Sequence, residues 1–275
     1  MADQVDPLAR IADALDRIAP PPAPPVAWSG HPAYVWDGAQ ARAVDTIVAP
    51  PLTLLRGIDA QKTLVTDNVA RLAAGHAAHD MLLWGARGMG KSALLRASVA
   101  DTQRDNAETL ALVQVAQDAL AGVVPLFAAL AGVDRRFLVF IDDLGFEEED
   151  GTGPRLLRSW LEGGIEARPS NVRLAVTSNR RAIVPRHARE QDDPLNPRDA
   201  VDDRLALADR FGLSIGFHNA SQDDYLAIVA GYAGELALEW READALEWSR
   251  RRGGRSGRVA WQFVTELAGR AGRAI

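Results

Sequence analysis

The sequence predicts an α/β protein in which helices cover both faces of a mostly parallel five-stranded sheet, followed by a small all-helical domain. Helical stretches at 91–100, 154–162 and 198–210 lie between short apolar runs of the sequence. Short apolar runs bounded by glycine or polar residues predict buried strands, and their alternation with helices is typical of a parallel sheet with helices on both faces. The predicted strands are 81–85, 110–115, 137–142, 172–178 and 213–217.

The strand pattern stops after residue 217, and three helical stretches follow at 221–236, 241–252 and 256–270. Ser221, with Asp224 three residues later, is typical of a helix N-terminus closed by a capping box. We therefore expect an α/β domain over 26–217 and a helical domain over 218–275.

Residues 1–25 form a separate unit in this interpretation. Residues 7–18 carry apolar side chains at helical spacing, which predicts an amphipathic helix, and the prolines between 20 and 25 predict a stiff extended linker. The helix is either docked on the main body or a segment for assembly or partner binding. The first is favoured because an apolar stripe usually packs on its own core.

Composition excludes several classes of protein. The chain has 275 residues and no cysteine, so a disulfide scaffold, a thiolate zinc site and a cysteine nucleophile are ruled out. Its net charge of −6 argues against binding of polyanions by the protein as a whole, although a local basic face stays open. The histidines show no metal-ligand spacing.

We expect a cytoplasmic protein without a membrane segment. Residues 1–19 contain four aspartates and no long apolar core, unlike a secretory signal. The most apolar stretch, 110–133, is interrupted by polar residues, and the clean run at 119–133 is shorter than the ~20 residues that a bilayer requires.

Residues 85–92 are the strongest functional signal. They match G-x-x-x-x-G-K-[ST] between a predicted strand and a predicted helix, the context of a P-loop of the nucleoside triphosphatases. Backbone N–H groups of such a loop cradle phosphates, Lys91 binds the β- and γ-phosphates, and Ser92 offers a hydroxyl to Mg²⁺. Lys62 and Lys91 are the only lysines of the chain, which strengthens the assignment. The expected phosphate-binding residues are Gly85, Ala86, Arg87, Gly88, Met89, Gly90, Lys91 and Ser92.

A second strand end supplies carboxylates. The apolar run 137–141 leads directly into Asp142 and Asp143, which is the Walker B pattern. We expect Asp142 to hold Mg²⁺ and Asp143 to orient the attacking water, although Asp143 could instead cap the following turn. Glu147, in the acidic run that follows, is an alternative base.

Together these motifs make the sequence resemble an AAA+ ATPase, and more narrowly the bacterial family of predicted AAA+ ATPases known as a domain of unknown function. The resemblance covers the chain from about residue 50 to the C-terminus. The stretches that carry it are 84–88, 142–144, 161–169, 177–181 and 209–213.

The resemblance implies roles for Asn179, at the end of the fourth strand, and for Arg210, just before the fifth. Asn179 matches sensor 1, a neutral donor beside the γ-phosphate, although it could simply close a strand-end turn. Arg210 matches the arginine finger that completes a neighbouring subunit's site, with Arg204 as the reserve candidate. An ion pair of Arg210 with Asp202 or Asp203 is an equally open interpretation.

The resemblance also implies contacts from the C-terminal helices and from the segment before the first strand. Arg258 matches sensor 2, which contacts phosphates from the lid, while the surrounding arginines could instead bind nucleic acid or form a solvated helix end. Gly57 and Ile58 lie where such proteins wrap the adenine. No guanine-reading motif is present, so ATP is the expected nucleotide.

The predicted function is that of an AAA+ ATPase that hydrolyses ATP with Mg²⁺ and acts on an unknown protein client as a homo-oligomer. One alternative is a slow nucleotide-dependent switch or adaptor, because Asp143 is shorter than the usual Glu. Another is a nucleic-acid-associated loader, supported by the C-terminal arginines and opposed by the acidic total charge.

Overall fold

A computed structural model describes residues 8, 10–11, 26–144, 152–162, 168–179 and 208–275. Within them, one seven-stranded sheet has the order β2-β1-β4-β5-β6-β3-β7, and every neighbouring pair is parallel except β1 with β2. The strands are β1 Ala33–Trp36, β2 Ala41–Val44, β3 Met81–Gly85, β4 Leu110–Val115, β5 Arg136–Ile141, β6 Val172–Ser178 and β7 Leu213–Phe217.

From β3 to β6 the described helices alternate with the strands, and after β7 three helices follow one another. Short 3₁₀ turns precede two of the described helices, at Leu52–Leu54 and Gln117–Gly122. The α-helices are α1 Asp59–Ala73, α2 Lys91–Thr102, α3 Val123–Ala131, α4 Thr152–Glu162, α5 Gln222–Glu235, α6 Glu242–Arg251 and α7 Gly257–Arg270.

The predicted α/β class is confirmed, and the sheet has two strands more than the five that the sequence predicts. All five predicted strands are present within one residue of their expected ends. The additional strands, β1 and β2, form an antiparallel hairpin whose first strand pairs with β4 in parallel. Each has only four residues, too few to show a clear strand periodicity.

Arg135 anchors the segment that carries β1. Its side chain is 6% exposed, and its guanidinium donates to the carbonyls of His31 (2.8 Å), Ala107 (2.7 Å) and Leu110 (3.0 Å). Burial lowers the pKa of this guanidinium from its ordinary value. The chain before the first predicted strand is therefore an integral part of the sheet edge.

The two faces of the sheet bury two separate apolar clusters, because successive strand residues point to opposite sides. On one face, Leu83 and Phe140 pack with α1, α2 and the C-terminal helices. On the other, Leu82 and Val139 pack with α3 and α4. Helices thus cover both faces, as the uninterrupted apolar strands require.

The topology places three predicted site segments side by side, at the carboxyl ends of neighbouring strands. β3 and β5 both pair in parallel with β6, so the carboxyl ends of these three strands lie side by side. The phosphate loop follows β3, Asp142 follows β5 and Asn179 follows β6. Ligands of open α/β sheets bind at the carboxyl ends of the strands.

Some predictions lie outside the described residues. They are most of the helix at 7–18, the proline linker, Glu147, most of the helix at 198–210, and Arg204 with Asp202 and Asp203. Among the residues that the structure describes, no helix is both long and apolar enough to span a bilayer.

Candidate nucleotide-binding site

Three glycines shape the phosphate loop between β3 and α2. Gly85, Gly88 and Gly90 have φ angles of 122°, 76° and 90°, in the region that disfavours side chains. A Cβ on Gly85 would lie 2.0 Å from the carbonyl oxygen of Phe217, which itself accepts a 2.9 Å hydrogen bond from the Ala86 N–H. The loop is thereby tied to the end of β7, next to its own strand. Within the same loop, Met89 is buried and Arg87 is exposed.

Lys91 lies at the centre of the site, at the first residue of α2. It is 5% exposed, and its Nζ donates to the carbonyls of Gly85 and Ala86, both at 2.9 Å, and to Asn179 Oδ1 at 3.1 Å. Burial lowers the pKa of Lys91, while Asp143 and Asp142 act in the opposite direction. The ammonium is thus fixed between two strand ends.

Ser92 and Asp142 meet across the two strand ends. Ser92 Oγ donates to Asp142 Oδ1 at 2.6 Å, and Thr177 Oγ1 donates to the same oxygen at 2.6 Å. Hydroxyl and carboxylate oxygens are the ligands that Mg²⁺ prefers, and such a site usually completes its shell with phosphates and waters. The donor set therefore fits Mg²⁺ bound together with a nucleotide, with Ser92 and Asp142 as the protein ligands.

Asp143 is held in an unusual backbone conformation beside this pair. Its φ angle is 53°, uncommon for a residue other than glycine, and its N–H donates to Thr177 Oγ1 at 2.8 Å. Its carboxylate Oδ1 accepts a hydrogen bond from Asn179 Nδ2. Strained residues of this kind cluster at functional sites.

The C-terminal helices close the site over the phosphate loop. The Arg258 N–H at the start of α7 donates to the Gly88 carbonyl at 3.1 Å, and Ser256 caps the same helix. A Cβ on Gly88 would lie 2.9 Å from Ser256 Oγ and 3.0 Å from Arg258 Cβ. Arg258 is exposed and lines the cleft, where it contributes positive charge near Lys91.

These polar groups line a cleft of about 740 Å³. Apolar residues of the segment before α1 and of helix α5 line the same cleft, among them Pro51, Leu54, Ile58, Ile228 and Tyr232. Its volume falls within the range of about 300–1,000 Å³ that is typical of small-molecule sites.

Of the two residues expected around the base, the structure places only Ile58 in the cleft. Gly57 does not line it, and its missing side chain instead leaves room for Asp224, whose Cβ would lie 3.0 Å from a Cβ at this position. The φ angle of 73° at Gly57 shows that the glycine serves the turn into α1. A contact of Gly57 with the base stays a prediction.

Sequence reasoning missed several residues that line the cleft. Thr177 hydrogen-bonds both the Asp142 carboxylate and the Asp143 backbone N–H. Its hydroxyl near the end of an apolar strand is the sequence feature that could have identified it. Arg96, one helical turn after Ser92, lines the cleft, and its buried Nε has no hydrogen-bond partner in the described structure. Trp261 lines the cleft and contacts Tyr232 edge to face at 5.1 Å.

Arg210 lies away from this cleft. It is exposed and precedes β7, whose Leu213 pairs with Met81 at the start of β3, whereas the phosphate loop follows the other end of β3. At about 3.3 Å per residue, the strand separates the two ends by more than 10 Å. Arg210 therefore lies near the amino end of β7, whereas the site of its own chain lies at the carboxyl ends of the strands.

Solved structures share this fold at low sequence identity. The Thermotoga maritima RuvB Holliday junction branch migration motor matches with a TM-score of 0.51 and 16% identity over 83% of this chain and 68% of its own. A mutant of the same Thermotoga maritima protein matches with a TM-score of 0.53 and 17% identity over 82% of this chain and 67% of its own. The Aeropyrum pernix ORC1 protein in complex with DNA matches with a TM-score of 0.55 and 15% identity over 83% and 66%.

No curated protein sequence matches the chain. The likeness to the solved structures confirms the AAA+ type of fold that the motifs predict. A family model matches residues 29–271, which is most of the sequence and includes the phosphate loop, both strand-end motifs and the C-terminal helices. On that match, the chain belongs to the family described as "Protein of unknown function (DUF815)".

Proposed function

We propose that this chain binds Mg²⁺–ATP in the cleft and hydrolyses it, and that it acts on a protein client as a homo-oligomer. The observation that carries the proposal is the convergence of Lys91, Ser92, Asp142, Asp143 and Asn179 in a cleft that apolar side chains also line. A nucleoside triphosphate likewise combines a charged triphosphate with a flat, less polar base.

The phosphate loop and Lys91 bind the triphosphate. The backbone N–H groups that follow Gly88, together with the N-terminus of α2, offer donors and a positive dipole end to phosphate oxygens. Lys91 donates to two carbonyls and one amide oxygen, and an anionic phosphate oxygen is a stronger acceptor than any of these. Arg258 supplies further positive charge from α7.

Asp143 orients and polarises the attacking water. Its carboxylate lies beside Asn179, so the amide and the carboxylate can hold one water on the side of the γ-phosphate. When bound, Mg²⁺ neutralises developing charge on the β- and γ-phosphate oxygens. Ser92 and Asp142, already in contact, hold the metal in position.

Arg210 completes the site of a neighbouring subunit. Arg210 lies near the amino end of β7, and its own phosphate loop lies at the carboxyl end of β3, which supports action in trans. A guanidinium inserted beside the γ-phosphate stabilises the transition-state charge and makes hydrolysis depend on assembly. This dependence predicts a homo-oligomer.

The test is steady-state ATP hydrolysis measured against protein concentration, with ATP binding measured separately by calorimetry. We expect specific activity to rise with concentration in the wild type and to disappear in Lys91→Ala. In Arg210→Ala it should fall at every concentration without loss of ATP binding. Arg104→Ala removes an exposed arginine beyond the end of α2 and serves as the matched control.

A slow switch is the second candidate, because the Asp143 carboxylate is short and already accepts a hydrogen bond from Asn179. The same assay separates the two functions through Asp143→Asn. A wild type that binds Mg²⁺–ATP but turns over no faster than Asp143→Asn at any concentration would be a switch. A wild type that binds no nucleotide would contradict both.

A further inference from the structure

The C-terminal region has a charge opposite to that of the rest of the chain. Residues 250–275 contain seven arginines and one acidic residue, Glu266, although the whole chain has a net charge of −6. Two of these arginines, Arg251 and Arg270, form ion pairs with Glu247 and Glu266. Four of the others, Arg250, Arg252, Arg255 and Arg258, lie where α6 ends and α7 begins.

Three exposed arginines of this region have no carboxylate partner among the described residues. They are Arg250, Arg252 and Arg255, which lie at the end of α6 and in the loop that follows. Exposed arginines left in water without a carboxylate partner generate a local positive potential, which attracts anionic ligands despite the acidic total charge.

A groove of about 610 Å³ lies between α6 and α7, and Arg252 is the one of these three arginines that lines it. Helix α7 lines it with residues spaced along one face from Trp261 to Arg270, and α6 contributes Trp248 and Arg252. A Cβ at Gly269 would meet no atom within 4 Å, so the far end of the groove is open. We call this feature the α6–α7 groove.

Two tryptophans make this groove different from a simple charged surface. Trp261 is 42% exposed, and the Arg252 guanidinium lies 4.8 Å from the ring centre of Trp248. Exposed aromatic rings and guanidinium planes are surfaces on which bases stack.

We propose that the α6–α7 groove binds single-stranded nucleic acid. Phosphates would lie at Arg252, which lines the groove, and at Arg255 in the loop that joins α6 to α7, while a base stacks on Trp261. Single strands are favoured over duplexes because the exposed indole requires an unpaired base face, which a duplex keeps within its stack. They are favoured over acidic peptides because a carboxylate uses the arginines but not the indole.

This function is additional to the proposed nucleotide site. Trp261 lines both the nucleotide cleft and the α6–α7 groove, so the test is made without ATP. The probe is a fluorescein-labelled dT20, with rU20 and a 20-base-pair duplex as comparisons, titrated with the full-length chain at several salt concentrations without ATP. Fluorescence anisotropy gives the affinity, and the tryptophan emission of an unlabelled sample reports stacking.

The charge arm of the test uses Arg252→Gln combined with Arg255→Gln. We expect at least a tenfold loss of dT20 affinity at 50 mM KCl and a log–log salt slope that is shallower by about 1.4, since each phosphate contact on a single strand contributes about 0.7. Arg71→Gln with Arg104→Gln removes the same charge from exposed positions elsewhere and should change the affinity less than twofold.

The stacking arm uses Trp261→Leu, with thermal unfolding to verify the fold. We expect dT20 to quench tryptophan emission in the wild type and to lose most of that quenching in the variant. The proposal is overturned if the wild type does not bind dT20 at 50 mM KCl, or if the two arginine pairs behave alike. It is also overturned if polyglutamate competes as well as unlabelled dT20 and binding causes no quenching, because the groove would then be an acidic-peptide site.

Discussion

Lys91 and Asn179 share a 3.1 Å hydrogen bond from the ammonium to the amide oxygen, and the amide nitrogen of Asn179 donates to Asp143. The Asn179 side chain therefore connects Lys91, which is expected to bind the phosphates, to Asp143, which is expected to orient the attacking water. A phosphate oxygen that takes up the Lys91 ammonium removes one partner from this amide. The orientation of Asn179 is thus sensitive to what Lys91 binds.

Asn179→Ala should separate hydrolysis from binding. We expect kcat for ATP to fall about 100-fold, the size of effect found when one polar donor near developing charge is removed. The Kd for Mg²⁺–ATP should change less than about threefold, because Lys91 retains both carbonyl partners and the loop N–H groups stay in place. The control is Asn106→Ala, at an exposed position in the loop before β4. Equal loss of binding and turnover would contradict the assigned role.

Arg96→Met should weaken nucleotide binding. The Arg96 guanidinium lines the cleft, and its Nε has no acceptor within the described residues, so the side chain is available to a bound anion. We expect a three- to tenfold rise in Kd for Mg²⁺–ATP by calorimetry, in line with about 1 kcal/mol for a hydrogen bond to a charged group partly screened by water. Arg96→Lys should restore part of this affinity, and Arg104→Met should match the wild type. A variant that binds as tightly as the wild type would place Arg96 outside the contact.

Gly85→Ala should destabilise the fold. The added Cβ would lie 2.0 Å from the Phe217 carbonyl oxygen, and the φ angle of 122° is itself unfavourable for alanine. We expect the free energy of unfolding, measured with urea, to fall by about 3 kcal/mol or more. Gly254→Ala is the matched control, because a Cβ at that position meets nothing within 4 Å. Similar losses in the two variants would refute the steric explanation.

Alkaline pH should destabilise the chain through Tyr225. Burial raises the pKa of this phenol from 10.0 to about 12, and its hydroxyl donates to the Ala245 carbonyl at 3.2 Å. The unfolded chain loses this proton near pH 10 and the folded chain near pH 12, so stability is retained below pH 10 and falls as the pH rises towards 12. The largest loss from this group is about 2–3 kcal/mol.

Tyr225→Phe isolates that contribution. The variant should be less stable than the wild type at pH 8, where it lacks the hydroxyl's hydrogen bond, by about 1 kcal/mol. The difference should shrink or reverse between pH 10 and 12, and urea unfolding at pH 8, 10 and 11.5 measures it. Other titrating groups, including Lys91, contribute equally to both proteins. Parallel stability curves for the two proteins would exclude the effect.

The sequence predicted those parts of the fold and site that depend on local pattern. Lys91 and Ser92 follow from one contiguous motif, and the apolar run before Asp142 marks a strand end without further information. Residues 81–85 are bounded correctly because this buried parallel strand is a continuous apolar run between Asp80 and the glycine-rich loop.

The remaining parts depend on contacts between distant segments. β1 is recognisable as a strand only through its pairing with β4, and Arg135 only through the carbonyls it reaches in the His31 region. Arg96 and Thr177 belong to the cleft because of the direction of their side chains, which no spacing rule specifies. Gly57 and Ile58 were assigned to the base pocket through the family resemblance, because a base pocket has no fixed residue spacing that a sequence can show.

The hairpin of β1 and β2 affects how the chain can fold as it is synthesised. Residues 31–36, which include β1, leave the ribosome well before residues 110–115 and Arg135, with which they share hydrogen bonds. A two-stranded hairpin is at best marginally stable alone, and its outer groups can pair with another chain. The emerging N-terminal segment therefore stays incomplete until most of the nucleotide-binding half has been translated. Fragments that end before β4 are the ones expected to aggregate.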